Sequence, residues 1–545
     1  MPDDMVRDVH RQVPMRSLSR LLAISLVPLL PLLGAAAACS SDDAAPGAPS
    51  SLTDEGGTTT GGGRGGSDEG GTAIQDGAVP DGPTGPAHGF RADWYDVFSD
   101  RKLTRVEPAI AIAHDATTSP APGIRGILYS VRWTATLAAS AGEHTFFAKA
   151  DDGVRMFVDD KPVIDDWASH PATDSSGKVT LTAGAHVLRV EYFQLRGAAA
   201  LALDWQPPGG VRSAIPDALL SPLAAPPADA KGVVLDGPRP SFDNAVVGFD
   251  CPDPGVLGIT SGGHPLFAMV CTGGKLPVRL SDDLVTWTNS SGAILPSGKA
   301  SWSANGGRNW APEIHAVAGK YVAYFTAVNG ANVLSIGCAS APAPEGPYTD
   351  CGAPLVQNAL GVIDATFFEE PGGKKYLYYK IDGNSVGQHT PIYARELAAD
   401  GLSFAPGSAA VEVLNNDTAT WEGGVVEAPW VVKHGADYFL FYSGNVYDAR
   451  YRTGVARATS PTGPFTKKGS PILGNNASWV GPGHGSVVSV HGRDYFFHHA
   501  WPALANGQND TNKGRYGLIA PIAWGADGWP VLGGGSPVTT PILYP

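Results

Sequence analysis

Three carboxylates in similar short contexts stand far apart in the C-terminal half of the chain. They are Asp253 in Phe-Asp-Cys-Pro-Asp-Pro-Gly-Val, Asp364 in Gly-Val-Ile-Asp-Ala-Thr and Glu427 in Val-Val-Glu-Ala-Pro-Trp. Each lies beside a β-branched run and a Pro or small residue, a context expected where a strand leaves a sheet. Three acids gathered at one place suit the splitting of a glycosidic bond. One carboxylate activates water, a protonated acid serves the leaving oxygen, and a third group tunes that acid. Each acid alone has a plainer reading. Asp-Pro is common in turns and Asp250 competes with Asp253 for the role; Asp364 could cap a turn; Glu427 could pair with a surface Arg, and Glu313 and Glu422 are further acids nearby. Their joint occurrence is what points to a site, and a fold is needed that brings them together.

The composition narrows that fold. The chain has 545 residues, enough for two or three domains, with 69 Gly, 46 Pro, 13 Trp and 17 Tyr but only 17% charged residues. This is the profile of an all-β protein rich in turns and aromatic surfaces. A net charge of −14 argues against nucleic acid as a partner, because its phosphates would be repelled; a neutral polysaccharide is indifferent to that charge.

Residues 1–39 form a targeting segment. Met15-Arg-Ser-Leu-Ser-Arg is a basic start, Leu21 to Leu33 is apolar but broken by Pro28 and Pro31, and Gly34 to Ala38 are small residues leading to Cys39. The apolar core is too short to span a bilayer as a mature helix. The segment resembles a bacterial lipoprotein signal, which implies lipidation at Cys39 and an exported protein, either anchored at the cell surface (the outer membrane where one exists) or secreted. Residues 40–86 are Gly, Ser, Thr, Asp and Ala with almost nothing to bury, and read as a disordered tether. The other four cysteines allow three pairings in an oxidising compartment. Cys338 and Cys351 flank Ala-Pro-Glu-Gly-Pro-Tyr, a stretch able to return the chain, which favours Cys338–Cys351 and Cys251–Cys271. No Cys-x-x-Cys spacing suggests zinc.

Across residues 87–208 alternating runs such as His144-Thr-Phe-Phe-Ala-Lys, Val154-Arg-Met-Phe-Val and His186-Val-Leu-Arg-Val-Glu-Tyr-Phe are separated by turn signals such as Asp151-Asp152-Gly153. Short strands at this spacing predict a β-sandwich. The order Ala141-Gly-Glu-His-Thr-Phe, Ala150-Asp-Asp-Gly-Val-Arg-Met-Phe-Val-Asp-Asp-Lys-Pro, Leu181-Thr-Ala-Gly-Ala-His-Val, Val190-Glu-Tyr-Phe and Leu203-Asp-Trp resembles the protective-antigen domain, a sandwich often used to bind carbohydrate. In some sugar-binding members an Asp-Asp pair holds calcium, a role the resemblance would place on Asp151 and Asp152 here; the plainer reading is that they make the turn.

After a linker at 209–238, residues 239–545 repeat loosely. Aromatic strands recur at Pro265-Leu-Phe-Ala-Met-Val, Tyr321-Val-Ala-Tyr-Phe, Lys375-Tyr-Leu-Tyr-Tyr, Asp437-Tyr-Phe-Leu-Phe-Tyr and Asp494-Tyr-Phe-Phe-His-His. Five such strands predict a five-bladed β-propeller, whose inner strands would carry distant acids to one axis. Within this region Ser281-Asp-Asp-Leu-Val-Thr-Trp, Trp310-Ala-Pro-Glu-Ile, Glu345-Gly-Pro-Tyr, Ser460-Pro-Thr-Gly-Pro-Phe and Gly481-Pro-Gly-His-Gly-Ser resemble, in order, the motifs of glycoside hydrolase family 43.

That resemblance implies an inverting hydrolase with Asp253 as general base, Glu427 as general acid and Asp364 as the acid that tunes and orients it. Glu427 is then expected to stay protonated, pushed up by Asp364 and by burial, while Asp253 stays ionised as the more solvated acid. His484, Trp310, Trp421 and Arg515 are expected at the substrate, with Trp479 a further stacking candidate and Arg515 paired to a catalytic carboxylate. His498 or His499 falls where many members place one imidazole beside a structural calcium; the chemistry itself calls for no cofactor. The expected substrate is arabinan or arabinoxylan, cleaved as an α-L-arabinofuranosidase. β-Xylosidase, endo-arabinanase, galactan hydrolase and a non-catalytic glycan-binding propeller are the alternatives. The expected partners are thus a poly- or oligosaccharide and, through the lipid, a membrane.

Overall fold

A computed structural model describes residues 87–98, 100–224 and 240–544; the targeting segment with Cys39, the tether and residues 225–238 of the linker lie outside them. Among the described residues there is no α-helix, only three short 3-10 turns between β-strands.

The N-terminal part is a sandwich of two antiparallel sheets. One sheet has Tyr129–Ala139 and Gly184–Gln194 at its centre; the other is built round Gly142–Asp151 and Ala199–Gln206. Alternate residues of these strands meet between the sheets, where Trp133, Phe146, Met156, Leu188 and Tyr192 are fully buried. The sequence reading ended this module at 208, but the chain goes on pairing with it. Ser213–Ala214 extends one sheet and Leu220–Pro222 pairs with Tyr129–Ala139 in the other. Residues 213–222 therefore belong to the sandwich and not to the linker. Strands of two and three residues, interrupted by Pro216, carry no periodicity by which they can be recognised.

The C-terminal part consists of five antiparallel sheets of four strands, the second with a short additional strand. The first strands of the blades are Gly255–Ser261, Trp310–Val317, Val362–Glu369, Val426–His434 and Trp479–Val490. Each touches the first strand of the next blade, and the fifth touches the first, so these strands form a closed inner ring. The aromatic runs noted in the sequence are the second strands, packed between blades on both faces. The ring is fastened by the segment before the first blade. Asn244 bonds through its side chain to the backbone of Ile519 and Val538, and Ser241–Phe242 pairs with Ile542–Leu543. Sulfur–sulfur bonds join Cys251 to Cys271 and Cys338 to Cys351.

The two parts share a packed joint. Phe98, Leu128 and Phe193 of the sandwich lie in one apolar cluster with Phe242, Met269, Leu284 and Tyr544 of the propeller. Around it Arg196 bonds Asp283 at 2.9 Å, His264 meets Asp96 at 2.8 Å and Arg125 bridges Asp96 and Asp282. His264 opens the second strand of blade one and Asp282-Asp283 follows the end of its third, whereas Asp253 precedes its first. In an antiparallel blade those points lie at opposite ends. The sandwich is attached to the end of the propeller remote from the acids.

Candidate active site

One backbone device recurs in all five inner strands. Each has a non-glycine residue in the left-handed region, just ahead of the strand in blade one, within its first three residues in blades two to four and midway along it in blade five: Asp253 (φ 55°), Ala311 (55°), Asp364 (59°), Ala428 (55°) and His484 (50°). The next residues are Pro254, Pro312, Ala365, Pro429 and Gly485. In blades two to five the pairing register slips at this point, between Trp310 and Glu313, Ile363 and Thr366, Glu427 and Trp430, and Gly483 and Ser486. A bulge re-aims a side chain, and strain of this kind persists where surrounding structure holds it. The acid motifs thus mark where inner strands begin, not where strands leave a sheet. In blades three and four the Pro or small residue beside the acid belongs to the bulge.

The device brings the sequence candidates together. Asp253 is fully buried; its Oδ1 stands 2.7 Å from His484 Nδ1 and 2.8 Å from His499 Nδ1, and Arg515 Nη1 lies 3.2 Å from both its oxygens. His484 Nε2 is 3.5 Å from Asp364 Oδ2, and that oxygen also accepts the Ala428 N–H at 3.0 Å. The imidazole therefore bridges two acids, and the second is tied to the backbone beside Glu427. Glu427 itself is clamped: Lys380 Nζ is 2.9 Å from Oε2, and the Tyr451 hydroxyl donates to Oε1 at 2.8 Å. Tyr451 lies parallel to the His499 ring with centroids 5.8 Å apart.

Charge state follows from these contacts, and two expectations change. Burial opposes ionisation of Asp253, but Arg515, His484 and His499 outweigh it and hold the acid far below the carboxylate range. Arg515 and the imidazoles in contact, not solvent, keep it charged, so Asp253 is ionised without being the more solvated acid. Burial also pushes Glu427 up, yet Lys380, His484 and Tyr451 reverse the direction and hold it below its ordinary value. Asp364 is the raised acid, to about 7, chiefly through burial and then the nearby Glu427, with His484 and Lys380 opposing. His484 is raised by Asp253 and Asp364 against the effect of its burial. In the free site the proton thus favours Asp364 over Glu427.

The remaining candidates divide. Arg515 is packed over Tyr447 and Trp501, 5.2 and 5.7 Å from their ring centres, beside the base. Trp310 stays partly exposed at the start of the inner strand of blade two, next to the left-handed Ala311. Trp421 is not a sugar platform. Its indole stacks on Tyr442 and covers Gly444 and Gly454, where an added Cβ would meet the ring at 2.6 Å, so it packs blade four. Trp479 tilts against Tyr516. Glu313 is buried and bonded to His315 and the Phe367 N–H, joining blades two and three; Glu422 is held by Lys467, Tyr442 and the Asp417 N–H. Asp250 accepts the Arg515 N–H at 2.7 Å and so braces the arginine rather than replacing Asp253.

For metals, His499 is engaged with Asp253, while His498 is buried with Nδ1 on the His499 carbonyl and Nε2 without a partner among the described residues. A hard cation at His498 would gain one nitrogen and take its other ligands from water, a weak donor set for calcium, and no step below runs through an ion. In the sandwich, Asp152 accepts Ser169 Oγ at 2.6 Å and the Leu195 N–H at 2.7 Å. Its carboxylate serves the turn beside the joint, and Asp151-Asp152 gains no third acid or imidazole for a cation among the described residues.

Sequence reasoning missed Lys380, Asp382 and Tyr451. A signal existed for the first: a lone charge in Tyr-Leu-Tyr-Tyr-Lys-Ile, where every neighbour is apolar or aromatic. Tyr451 and Asp382 sit in loops with no pattern to mark them.

A five-bladed propeller that gathers an ionised buried acid, a near-neutral acid and a clamped glutamate defines a glycosidase. The profile of glycosyl hydrolases family 43 matches residues 242–530, more than half of the chain, and that of the PA14 domain matches 87–218. The chain belongs to glycosyl hydrolase family 43. A β-D-galactofuranosidase of Aspergillus niger is 32% identical over 230 residues, which span 40% of this chain and 62% of that relative. An arabinan endo-1,5-α-L-arabinosidase of Emericella nidulans is 28% identical over 306 residues, 51% of this chain and 90% of the relative. Among solved structures, a thermostable family-43 glycoside hydrolase is 26% identical and covers 56% of this chain and 99% of its own, with a TM-score of 0.48.

Proposed function

We propose that the protein is an exported α-L-arabinofuranosidase that releases arabinosyl units from arabinan or arabinoxylan with inversion, anchored through lipid on Cys39. The observation that carries this reading is the convergence of Asp253, Asp364 and Glu427 round one bridging imidazole. Asp253, held charged, takes a proton from the water whose oxygen forms the new bond to the anomeric carbon. As the old carbon–oxygen bond breaks, its electron pair goes to the leaving oxygen, which receives the proton of Glu427. Asp364 and Glu427 bring carboxylate oxygens within 4.8 Å of each other, so the charge on one opposes ionisation of the other, and Glu427 must hold the proton when the bond breaks. Arg515 and His484 fix the orientation of Asp253 throughout.

The arabinosidase relative supports the arabinofuranosyl assignment. The galactofuranosidase relative favours a second reading, a β-D-galactofuranosidase, because both substrates are five-membered glycosides with the same arrangement round the ring. Proton NMR of the anomeric signals during digestion of arabinofuranosyl, galactofuranosyl and xylosyl oligosaccharides decides between them. Inverted arabinose absent with Glu427→Gln is the expected result. Inverted galactose moves the assignment to the second reading, and retention of configuration overturns the mechanism.

A further inference from the structure

Lys380 has no task in the scheme above, yet it is the most unusual charge in the propeller. It lies in the second strand of blade three, Lys375–Ile381, with no solvent exposure, and its Nζ stands 2.9 Å from Asp382 Oδ1 and 2.9 Å from Glu427 Oε2. A buried ammonium ordinarily sheds its proton, because burial disfavours the charged form. Here two carboxylates in contact, with Asp364 close by, keep it charged. The lysine thus holds a full positive charge on one oxygen of the residue that must donate a proton, while Tyr451 donates to the other. The further groups facing Glu427 are Asp364 on the inner strand of blade three and His484 on that of blade five. A glutamate so clamped gives up its proton readily but recovers it reluctantly. Asp382 shares the same ammonium and weakens that hold.

We infer that Lys380 and Asp382 form a positioning pair that sets the acid strength of Glu427, the lysine favouring its charged form and Asp382 drawing the lysine's charge away. The inference rests on Glu427 being the proton donor proposed above. A lysine that merely filled a cavity would sit against apolar groups or a single acid; this one bridges the donor and a second carboxylate that touches nothing else in the acid cluster.

The two members of the pair should act in opposite directions. Lys380→Met removes the cation, so Glu427 holds its proton to higher pH and becomes a weaker acid. The alkaline limb of kcat/KM should rise by about one unit. Turnover of a substrate with a poor leaving group should fall about tenfold or more, and that of an activated aryl glycoside less. Asp382→Asn leaves the lysine undivided, so the alkaline limb should fall; Lys380→Arg should stay near wild type. The probes are arabinotriose and 4-nitrophenyl α-L-arabinofuranoside, or their galactofuranosyl counterparts if the wild type cleaves those. Limbs that stay in place, or move the same way in both variants with equal losses on both probes, overturn the inference. The Asp382→Asn result stands even if Lys380→Met fails to fold. Glu427→Gln run alongside separates the two levels: full activity in that variant overturns the donor assignment itself, whereas an inactive Glu427→Gln with unmoved limbs overturns only the pair.

Discussion

The strands of the sandwich and those of the propeller bury their residues in different rhythms. Along Tyr129–Ala139 buried and more exposed positions alternate without a break, whereas Asp437–Gly444 is buried at every position after the first. A sheet packed on one face needs apolar side chains at every second position; a blade pressed between two neighbours needs them on both faces. The difference extends to buried charge. In the sandwich three buried acids stand beside arginines, Asp93 with Arg91 at 2.9 Å, Glu191 with Arg132 at 2.7 Å and Asp96 with Arg125, while Asp152 takes a hydroxyl and an N–H. At the hub of the propeller Asp253, Asp364, Asp382 and Glu427 are packed round Arg515, Lys380 and His484. Burial and the neighbouring Glu427 push Asp364 up to about 7, so the hub retains a proton that an acid catalyst needs, whereas the sandwich uses its charges for structure.

The contrast breaks most sharply at Glu427. Glu427→Gln keeps the size and the hydrogen-bonding reach of the side chain but removes the acid, so turnover of an oligosaccharide should fall about a thousandfold or more. Melting temperature should change little. Steady-state kinetics with a calorimetric melt checks both, and comparable turnover would return the propeller to the glycan-binding reading. Trp133→Ala in the sandwich should do the reverse, costing about 3–5 kcal/mol of stability through the cavity it leaves while kcat per folded molecule stays the same. A kcat that fell in proportion would mean that the sandwich core acts on the hub.

Acid should act through the propeller's histidines. Burial depresses His315 to about 3 and His498 and His499 to about 4, with the Asp253 carboxylate opposing the shift at His499. All three are neutral when folded at pH values where an unfolded chain, with imidazoles near 6.5, has taken up protons. In that window the unfolded state binds more protons, so stability falls as the pH drops from about 6.5 toward 4, by about 1.4 kcal/mol per unit for each such group. Denaturant midpoints measured across this range should show the slope, and His315→Gln should make it shallower. An unchanged slope in that variant would show that His315 is not kept neutral by its site.

How much of this was legible beforehand depended on whether chemistry left a local mark. The propeller and the acids are readable because every blade repeats an aromatic strand and because Pro, Ala or Gly follows each left-handed residue of the inner strands, as in Asp253-Pro254 and Asp364-Ala365. The protonation order was not readable. It turns on Lys380 and Tyr451, whose approach to Glu427 depends on how blades three and four pack. Trp421 misled because a tryptophan near an acid motif looks the same whether it faces a sugar or covers Gly444 and Gly454. Residues 213–222 were assigned to a linker because strands of two or three residues carry no period.

The smallest effect is expected at the joint, and it tests whether the two regions are independent. Arg196→Ala removes the 2.9 Å contact to Asp283, but that buried carboxylate still accepts the Ser281 hydroxyl and the Val285 and Thr286 N–H groups. An acid left with three donors is not stranded, so the loss should be about 1 kcal/mol rather than the larger cost of an orphaned buried charge. The joint lies at the end of blade one away from Asp253, so kcat on an aryl glycoside should be unchanged while the melting temperature falls slightly. Scanning calorimetry and initial rates on the same preparation decide it. A clear change in kcat would mean that strain at the joint travels along the inner strand of blade one to the base, and that the sandwich is part of the catalytic machinery rather than a support bolted to its far end.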